Sequence, residues 1–491
     1  MATVAAFSQE RRSGRGRCAI ARLNLVAGAT VLVEEPWSSA LLKEERGRRC
    51  EVTLQLVDKP LHCPVTGLNF RSLDEQRAAR DEYYQSEYNA ALDLATSSSS
   101  KTRPQLTSAM RLAVRALWRG RGQNERPWLQ LETHWENLDA DRESQLEAQA
   151  SLVLDEYRRG SPSEPGKVAD ARAEDREALD RVAQFLAAID VNAMLVTDEE
   201  QRSIALGLYL KGAVFNHGEE PNCVQSFQGR RLVVRVLRPV AAGEELTIPY
   251  AEIAEVSSVR RVRLRGQYHF DLLRGTLPPS VAARDEKLSE VLERLPDGTW
   301  QPVEPGVVWS AQVGVHGGRP LPREHAGRES AASELASKTH AEWAAAREAV
   351  EAGDVRTAAR RLRKAWKAAS GEDLRLGEAH ALRLALARDG MDAAVEDQRW
   401  ADAAVFARAV CAANRCIYPA GWPVIGLSLA RLAKLELYHG RVVAAMQAGE
   451  EALRTLALVI DDSADVLTEL RQIVAQARAE VQAAPAPRRE Q

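Results

Sequence analysis

Within 207–250 the chain reads GLYLKGAVFNHGEEPNCVQSFQGRRLVVRVLRPVAAGEELTIPY, and several residues there could do chemistry together. Asn216-His217 sets an amide beside an imidazole. Pro221-Asn222, Gly229 and Gly243-Glu244-Glu245-Leu246 follow in order, and Tyr250 closes the stretch. A tyrosine at a strand end offers an apolar wall and one hydroxyl able to orient a small polar group. Upstream, Gly14-Arg15-Gly16-Arg17 carries two fixed positive charges. No helix signal and no Lys-Ser/Thr follows that Gly-x-Gly, so nothing supports a phosphate loop. Downstream, Tyr268-His269-Phe270 sets three flat side chains in a row.

These residues need elements to hold them. A β region is expected over 223–250, where Val224, Leu232, Val234, Val236, Val240, Leu246 and Ile248 alternate in part with polar residues. Gly229 and Gly243 supply its turns. Two β-branched runs within 17–37 flank Val26-Ala27-Gly28 and predict a hairpin. Helices are expected over 74–94 and through much of 105–157. A loop is expected at 96–104, around Ser97-Ser98-Ser99-Ser100, and a surface insertion at 158–167. The stretch 297–328 is rich in Gly, Pro and Arg and reads as a linker. From Ser330 to about Val481, Ala, Leu, Arg and Glu dominate, with breaks at Gly353, Gly371, Gly390, Pro419 and Gly440. That pattern predicts antiparallel helix pairs. The stretch GRVVAAMQAGEEAL at 440–453 resembles half of a tetratricopeptide unit.

The chain has 491 residues, enough for about three domains at roughly 150 residues each. Its 66 basic and 69 acidic residues leave a net charge of −3, which argues against a general nucleic-acid-binding surface. No run approaches the ~20 apolar residues of a membrane helix, and 1–12 lacks the apolar core of a secretory signal. The six cysteines, Cys18, Cys50, Cys63, Cys223, Cys411 and Cys416, are too sparse for a disulfide scaffold. A reducing compartment, cytoplasmic or nuclear, is the expectation.

The ordered set from Asn216 to Tyr250 resembles the core of SET-domain lysine methyltransferases, whose pattern is Asn-His-Ser-Cys-x-Pro-Asn, then Gly-Glu-Glu-Leu and a tyrosine. The likeness extends outward. Gly14-Arg15-Gly16-Arg17 resembles the family's Gly-Lys-Gly-Arg-Gly loop. Thr133-His134, read as helical, resembles the Ser-His of the sub-family with a split SET domain. Asn192, ahead of Leu206-Gly207-Leu208-Tyr209, resembles its Asn-Ser-Phe segment. The run RLRGQYHF at 263–270 resembles its post-SET entry, and RCIYPAGWPVIGLSLARLAKL at 415–435 its Tyr-Pro-x-x-His-Pro segment, with Trp422 at the His position. The chain thus resembles the SET and MYND domain-containing (SMYD) methyltransferases over nearly its whole length.

The resemblance implies an α+β fold. It would comprise an N-terminal SET segment (1–48), a degenerate MYND-like insertion (49–95), and a helical region with the core SET (96–250). A post-SET-like segment (251–296), a linker (297–329), a TPR-like helical domain (330–482) and a disordered tail (483–491) would follow. It implies S-adenosylmethionine as methyl donor and a protein lysine as acceptor. By resemblance, Tyr250 is catalytic, and Arg15, Gly16, Arg17, His134, Asn192, Ala213, Asn216, His217, Tyr268, His269 and Phe270 hold the cofactor. A monomer is expected, with partner peptides at the helical domain and neither membrane nor nucleic acid as partner. The competing reading is a catalytically weak scaffold that holds partners through that domain. Retention of Tyr250 and Asn216-His217 favours the enzyme.

The zinc ligands depart from the family pattern together. The MYND region keeps only Cys50 and Cys63, with His62 beside the latter. Its other ligand positions hold Thr53, Thr66, Arg71, Tyr84 and Tyr88. The post-SET site has Glu219, Leu272, Arg274 and Leu277 where the family has cysteines. Two thiolates cannot close tetrahedral structural sites, so the expectation is no zinc, with apolar packing through Leu61, Leu68, Phe70 and Leu272 in its place.

Overall fold

The computed structural model describes residues 6–96, 105–121, 127–161, 171–271, 277–304, 306–310, 314–316, 326–462 and 464–483. The expected loop at 97–104, positions 162–167 of the insertion, Leu272, Arg274 and the tail beyond Ala483 lie outside the described residues. The architecture is α+β, in two compact units. The first comprises Met1–His217, Gln225–Ile248 and Gly266–Phe270; the second comprises Gly218–Val224, Pro249–Arg265 and Asp271–Gln491.

In the first unit, strands Phe7–Arg12 and Gly16–Ala21 form a hairpin that pairs Phe7 with Ala21 and Arg12 with Gly16. Gly14 and Gly16 take φ of +71° and +66°, a backbone that glycine adopts without strain. Gly16–Ala21 also pairs antiparallel with Glu245–Ile248. The far edge of Glu245–Ile248 pairs parallel with Asn216–His217, Thr247 against Asn216 and Ile248 against His217. A parallel pair needs a crossover between its strands. Here the crossover contains Cys223–Gln228 and Arg231–Val236, which form a separate sheet with Thr30–Glu34.

The hairpin expected within 17–37 does not form. Gly16–Ala21 and Thr30–Glu34 belong to different sheets. The stretch between them runs beside 236–240, with Leu25 N–H donating to Val240 O at 2.8 Å and Gly28 N–H to Val236 O at 2.7 Å. The β-branched pattern marked strands correctly; their partners lay elsewhere in the chain.

Helices pack on a third sheet of this unit, in the order Ser38–Leu41, Ser203–Leu208, Met194–Thr197. Ser108–Arg119, capped by the Thr107 side chain, packs with Ala140–Gly160 and Ala171–Asn192. Leu112, Leu146, Val153, Phe185, Leu186 and Ile189 form their shared core with Ala40 and Leu208. The stretch expected as a MYND-like insertion forms a small hairpin, Leu61–His62 against Asn69–Phe70, followed by helices Leu73–Ala79 and Gln85–Thr96. Leu68, Phe70, Ala79 and Tyr83 form its core, with Leu61 packed against them.

The second unit holds helix Pro279–Ser289 and a small sheet in the order Trp300–Pro302, Val291–Arg294, Leu374–Leu376. A further hairpin joins Val308–Ser310 and Gly314–His316. Strands therefore occupy part of the stretch expected as a linker at 297–329. Seven helices follow among the described residues: Ala326–Glu351, Val355–Ala369, Ala381–Glu396, Trp400–Ile417, Pro423–Tyr438, Val442–Leu456 and Asp465–Ala483. Gly390, expected as a break, lies inside a helix. A Cβ there would come within 2.8 Å of the Phe406 ring, so the glycine serves close helix packing. The break falls instead at Gln398, with φ of +56°.

Candidate functional site

Asn216 is the centre of the first unit's polar cluster. Its Nδ2 faces Arg17 O at 2.9 Å, Glu245 Oε1 at 2.9 Å, Arg15 O at 3.2 Å and Cys18 Sγ at 3.3 Å. An amide nitrogen has two hydrogens, so these acceptors surround it rather than each taking a full bond. The contacts pin the glycine-rich turn, including Gly16, to the strand that bears Asn216. Glu245 also pairs with Arg15 Nε at 2.9 Å, holding that half-exposed guanidinium over the same corner. Glu245 lies in the Gly-Glu-Glu-Leu run, yet its bond to Asn216 is a contact that the sequence did not reveal.

Arg17 is 9% exposed, and among the described residues its Nε has no hydrogen-bond partner. The nearest carboxylate oxygen, Glu132 Oε1, stands 3.8 Å away on a half-exposed side chain. A buried guanidinium nitrogen without a hydrogen bond is costly, so water or another acceptor has to reach this atom. Asn192 braces the neighbouring loop, its Nδ2 facing both Glu132 O and Ala188 O at 2.8 Å.

His134 is not helical as expected. It has φ of +48° and precedes the short turn Trp135–Asn137. The segment Ala140–Gly160 starts a fresh helix with its own cap at Asp139, which leaves His134 in an irregular stretch. Its ring lies 5.5 Å from that of His269, also at positive φ. Burial and then the neighbouring His134 hold His269 below the usual imidazole range, against the opposing pull of Glu136. Gln267 Nε2 donates to Asp190 O at 3.2 Å, anchoring this end of the 266–270 segment. The Phe270 ring lies 6.0 Å from His217 and 6.4 Å from Tyr268, so three flat side chains gather here.

Ala213 lies in the short turn Gly212–Val214, half-buried against the helical core. Glu34 accepts the N–H groups of Lys211 at 2.9 Å and Gly212 at 2.8 Å, which sets this turn. Burial pushes the Glu34 carboxyl up, although those N–H groups oppose the shift. No local motif pointed to Glu34, because its partners lie far along the chain.

Tyr250 belongs to the second unit, directly after Pro249, and is half-buried. In the same unit Glu219 pairs with buried Arg260 and stands 3.4 Å from Arg284. Ser257 N–H donates to Asp285, whose carboxyl is pushed up chiefly by burial. Two guanidiniums around Glu219 make a poor setting for a cation. In the insertion, the Cys50 thiol donates to Glu75 Oε2 at 3.0 Å, and Cys63 Sγ accepts from the Tyr84 hydroxyl at 3.2 Å. Among the described residues no group of three or more His, Cys, Asp or Glu could hold a metal ion. Neither set of residues fits a tetrahedral zinc site. Leu277 is half-buried.

Strand pairing that joins Asn216–His217 to a Gly-Glu-Glu-Leu strand, with a glycine-rich hairpin alongside, defines the class. The SET-domain family model matches residues 16–251. The histone-lysine N-methyltransferase SMYD3 of Mus musculus is 36% identical over 88 residues, 18% of this chain and 21% of that protein. The histone-lysine N-methyltransferase ASHR1 of Arabidopsis thaliana is 25% identical over 317 residues, 62% of each chain. The N-lysine methyltransferase SMYD2-B of Danio rerio is 25% identical over 171 residues, 33% of this chain and 36% of that protein. The matches thus span from about a fifth to less than two thirds of these relatives' lengths. The chain is a SMYD-like SET-domain protein.

Proposed function

We propose that this protein transfers a methyl group from S-adenosylmethionine to a lysine amine of a protein substrate. The observation that carries the reading is the corner built by Asn216, where the glycine-rich turn brings Arg17 Nε, which makes no hydrogen bond among the described residues, beside the loop braced by Asn192. The cofactor, when bound, supplies an electrophilic methyl group on a sulfonium. Arg17 and Arg15 offer charge to its amino-acid carboxylate. His217, Tyr268 and Phe270 offer flat faces for its base, with His134 and His269 nearby. Ala213, in the turn set by Glu34, and Gly16 leave room for backbone to approach a ligand.

An in-line displacement asks little acid–base work of the protein. The acceptor must be neutral, whereas a free lysine has a pKa near 10.4. An apolar channel disfavours the ammonium form. Tyr250 would form such a wall, its hydroxyl orienting the amine lone pair. No zinc is part of this reading: Cys50, Cys63 and Glu219 already have partners within the protein. The reading also includes a monomer in a reducing compartment, cytoplasmic or nuclear, in keeping with six free cysteines. No helix among the described residues is long and apolar enough to cross a membrane.

Calorimetry with S-adenosylmethionine, followed by labelled-methyl transfer into a whole-protein extract, tests the proposal. Wild type should bind the cofactor and label proteins. Tyr250→Phe should keep the affinity and lose on the order of 100-fold in rate, the cost of a misplaced reactant. Transfer by Tyr250→Phe at the wild-type rate removes that tyrosine from the mechanism. Cofactor binding without any transfer turns the reading into that of a scaffold.

A further inference from the structure

The stretch that carries Tyr250 continues through Ala251, Ile253, Ala254 and Val256, all buried, while Glu252 between them is exposed. An exposed glutamate is ordinarily free to move. Here one oxygen, Glu252 Oε1, accepts the Ala254 N–H at 3.0 Å and the Tyr418 hydroxyl at 2.7 Å. The Tyr418 oxygen in turn accepts from Arg388 Nη2 at 3.2 Å, and the same nitrogen donates to Asn414 Oδ1 at 3.3 Å. All of these residues belong to the second unit.

Tyr418 is itself well fixed. It is 5% exposed, and its ring stacks on Trp422 at 5.9 Å with an interplanar angle of 28°. Burial, then Glu252, pushes its phenol up, so the hydroxyl stays protonated. The direction of the chain is therefore set: Arg388 donates to Tyr418, and Tyr418 donates to the Glu252 carboxylate. A charge-assisted bond of this kind is shorter and stronger than a neutral one. It reaches the backbone stretch that begins at Tyr250.

We infer that Tyr418, backed by Arg388, is a positioning residue for Tyr250, acting through Glu252. The helical domain would then set the catalytic rate without touching the substrate. This inference rests on the reading of Tyr250 given above, since its kinetic consequence requires that the phenol face the amine.

Two readouts test it. The first is independent of activity. Protein labelled with 3-fluorotyrosine gives a fluorine resonance for Tyr250, identified by its loss in Tyr250→Phe. That resonance should shift or broaden in Tyr418→Phe and Glu252→Ala, and stay near its wild-type position in Glu252→Gln, which keeps an acceptor oxygen. Tyr418→Phe keeps the ring and its packing, and a melting curve confirms that it folds. The second readout is steady-state kinetics: kcat should fall about tenfold in Tyr418→Phe, with KM for the protein substrate and affinity for S-adenosylmethionine unchanged. A Tyr250 resonance unmoved in both Tyr418→Phe and Glu252→Ala overturns the inference. Absence of methyl transfer by wild type overturns the functional reading alone, because the fluorine signal still decides the positioning.

Discussion

Arg17 and Arg115 are both buried arginines of the first unit, and their surroundings are opposite. Arg115 is 1% exposed, and each of its three nitrogens is used. Nε donates to Glu87 at 2.6 Å, Nη1 to Ser39 O at 2.8 Å and Nη2 to Glu51 at 2.8 Å. The Tyr83 ring lies 3.9 Å from its guanidinium carbon. Arg111 adds a second cation, 2.8 Å from Glu87. Burial alone would raise the Glu87 carboxyl, but Arg111 and Arg115 outweigh it and hold the group down at about 2. Arg17, in contrast, makes no hydrogen bond through Nε among the described residues and has only the half-exposed Glu132 carboxylate at 3.8 Å beside it. An arginine whose donors are all filled by its own chain is scaffolding. One whose buried Nε lacks a hydrogen bond still has a donor to satisfy, which the proposed reading gives to the cofactor. Arg115 ties the 49–95 segment, through Glu51 and Glu87, to the helix Ser108–Arg119 that bears it.

The comparison makes Arg115→Ala the most damaging change. It strands Glu51 and Glu87 as buried carboxylates, and should destabilise the protein by about 3–5 kcal/mol in denaturant unfolding. A loss below about 1 kcal/mol would show that the cluster is not structural. Acid gives the next effect. Glu87 is held below its unfolded value, so its stability contribution is complete above pH about 4.5 and disappears as pH falls toward 2. At roughly 1.4 kcal/mol per unit, that term is about 3 kcal/mol. Stability measured against pH for wild type and Glu87→Gln should differ in slope across that window, and parallel curves would contradict the assignment.

Arg17→Met reverses the pattern. Replacing an incompletely paired buried charge by apolar volume should leave stability within about 1 kcal/mol. Affinity for S-adenosylmethionine should drop on the order of tenfold, about 1.4 kcal/mol. A large stability loss with unchanged affinity would place Arg17 with Arg115. The smallest effect expected is none: a strong chelator should leave the melting temperature unchanged, unlike for a domain that folds around metal. Stoichiometric zinc by elemental analysis would refute the metal-free reading of the insertion.

Much of the site was legible because its parts are local. Asn216-His217, the Gly-Glu-Glu-Leu strand and Gly14-Arg15-Gly16-Arg17 each occupy a few consecutive residues, and the turn glycines at 14, 16, 229 and 243 all take positive φ. The errors of element type have physical causes as well. Thr133-His134 sat in a run of good helix formers, but the chain there caps a new helix at Asp139. Gly390 looked like a breaker because a bare sequence does not show that Phe406 needs the space of a missing Cβ.

The sequence by itself determined the order of the site's motifs, the β character of 223–250 and the helical character of most of 330–482, since each depends on residue type and short-range periodicity. The tertiary structure alone decided the partners. Gly16–Ala21 passes over the next strand in sequence to pair with Glu245–Ile248, which then takes Asn216–His217 in parallel. Glu51, Glu87 and Arg115 meet although long stretches of chain separate them. Such choices rest on which buried donors and acceptors can be satisfied together, and on which apolar faces close on one another. Those are properties of the assembled core rather than of any window along the chain.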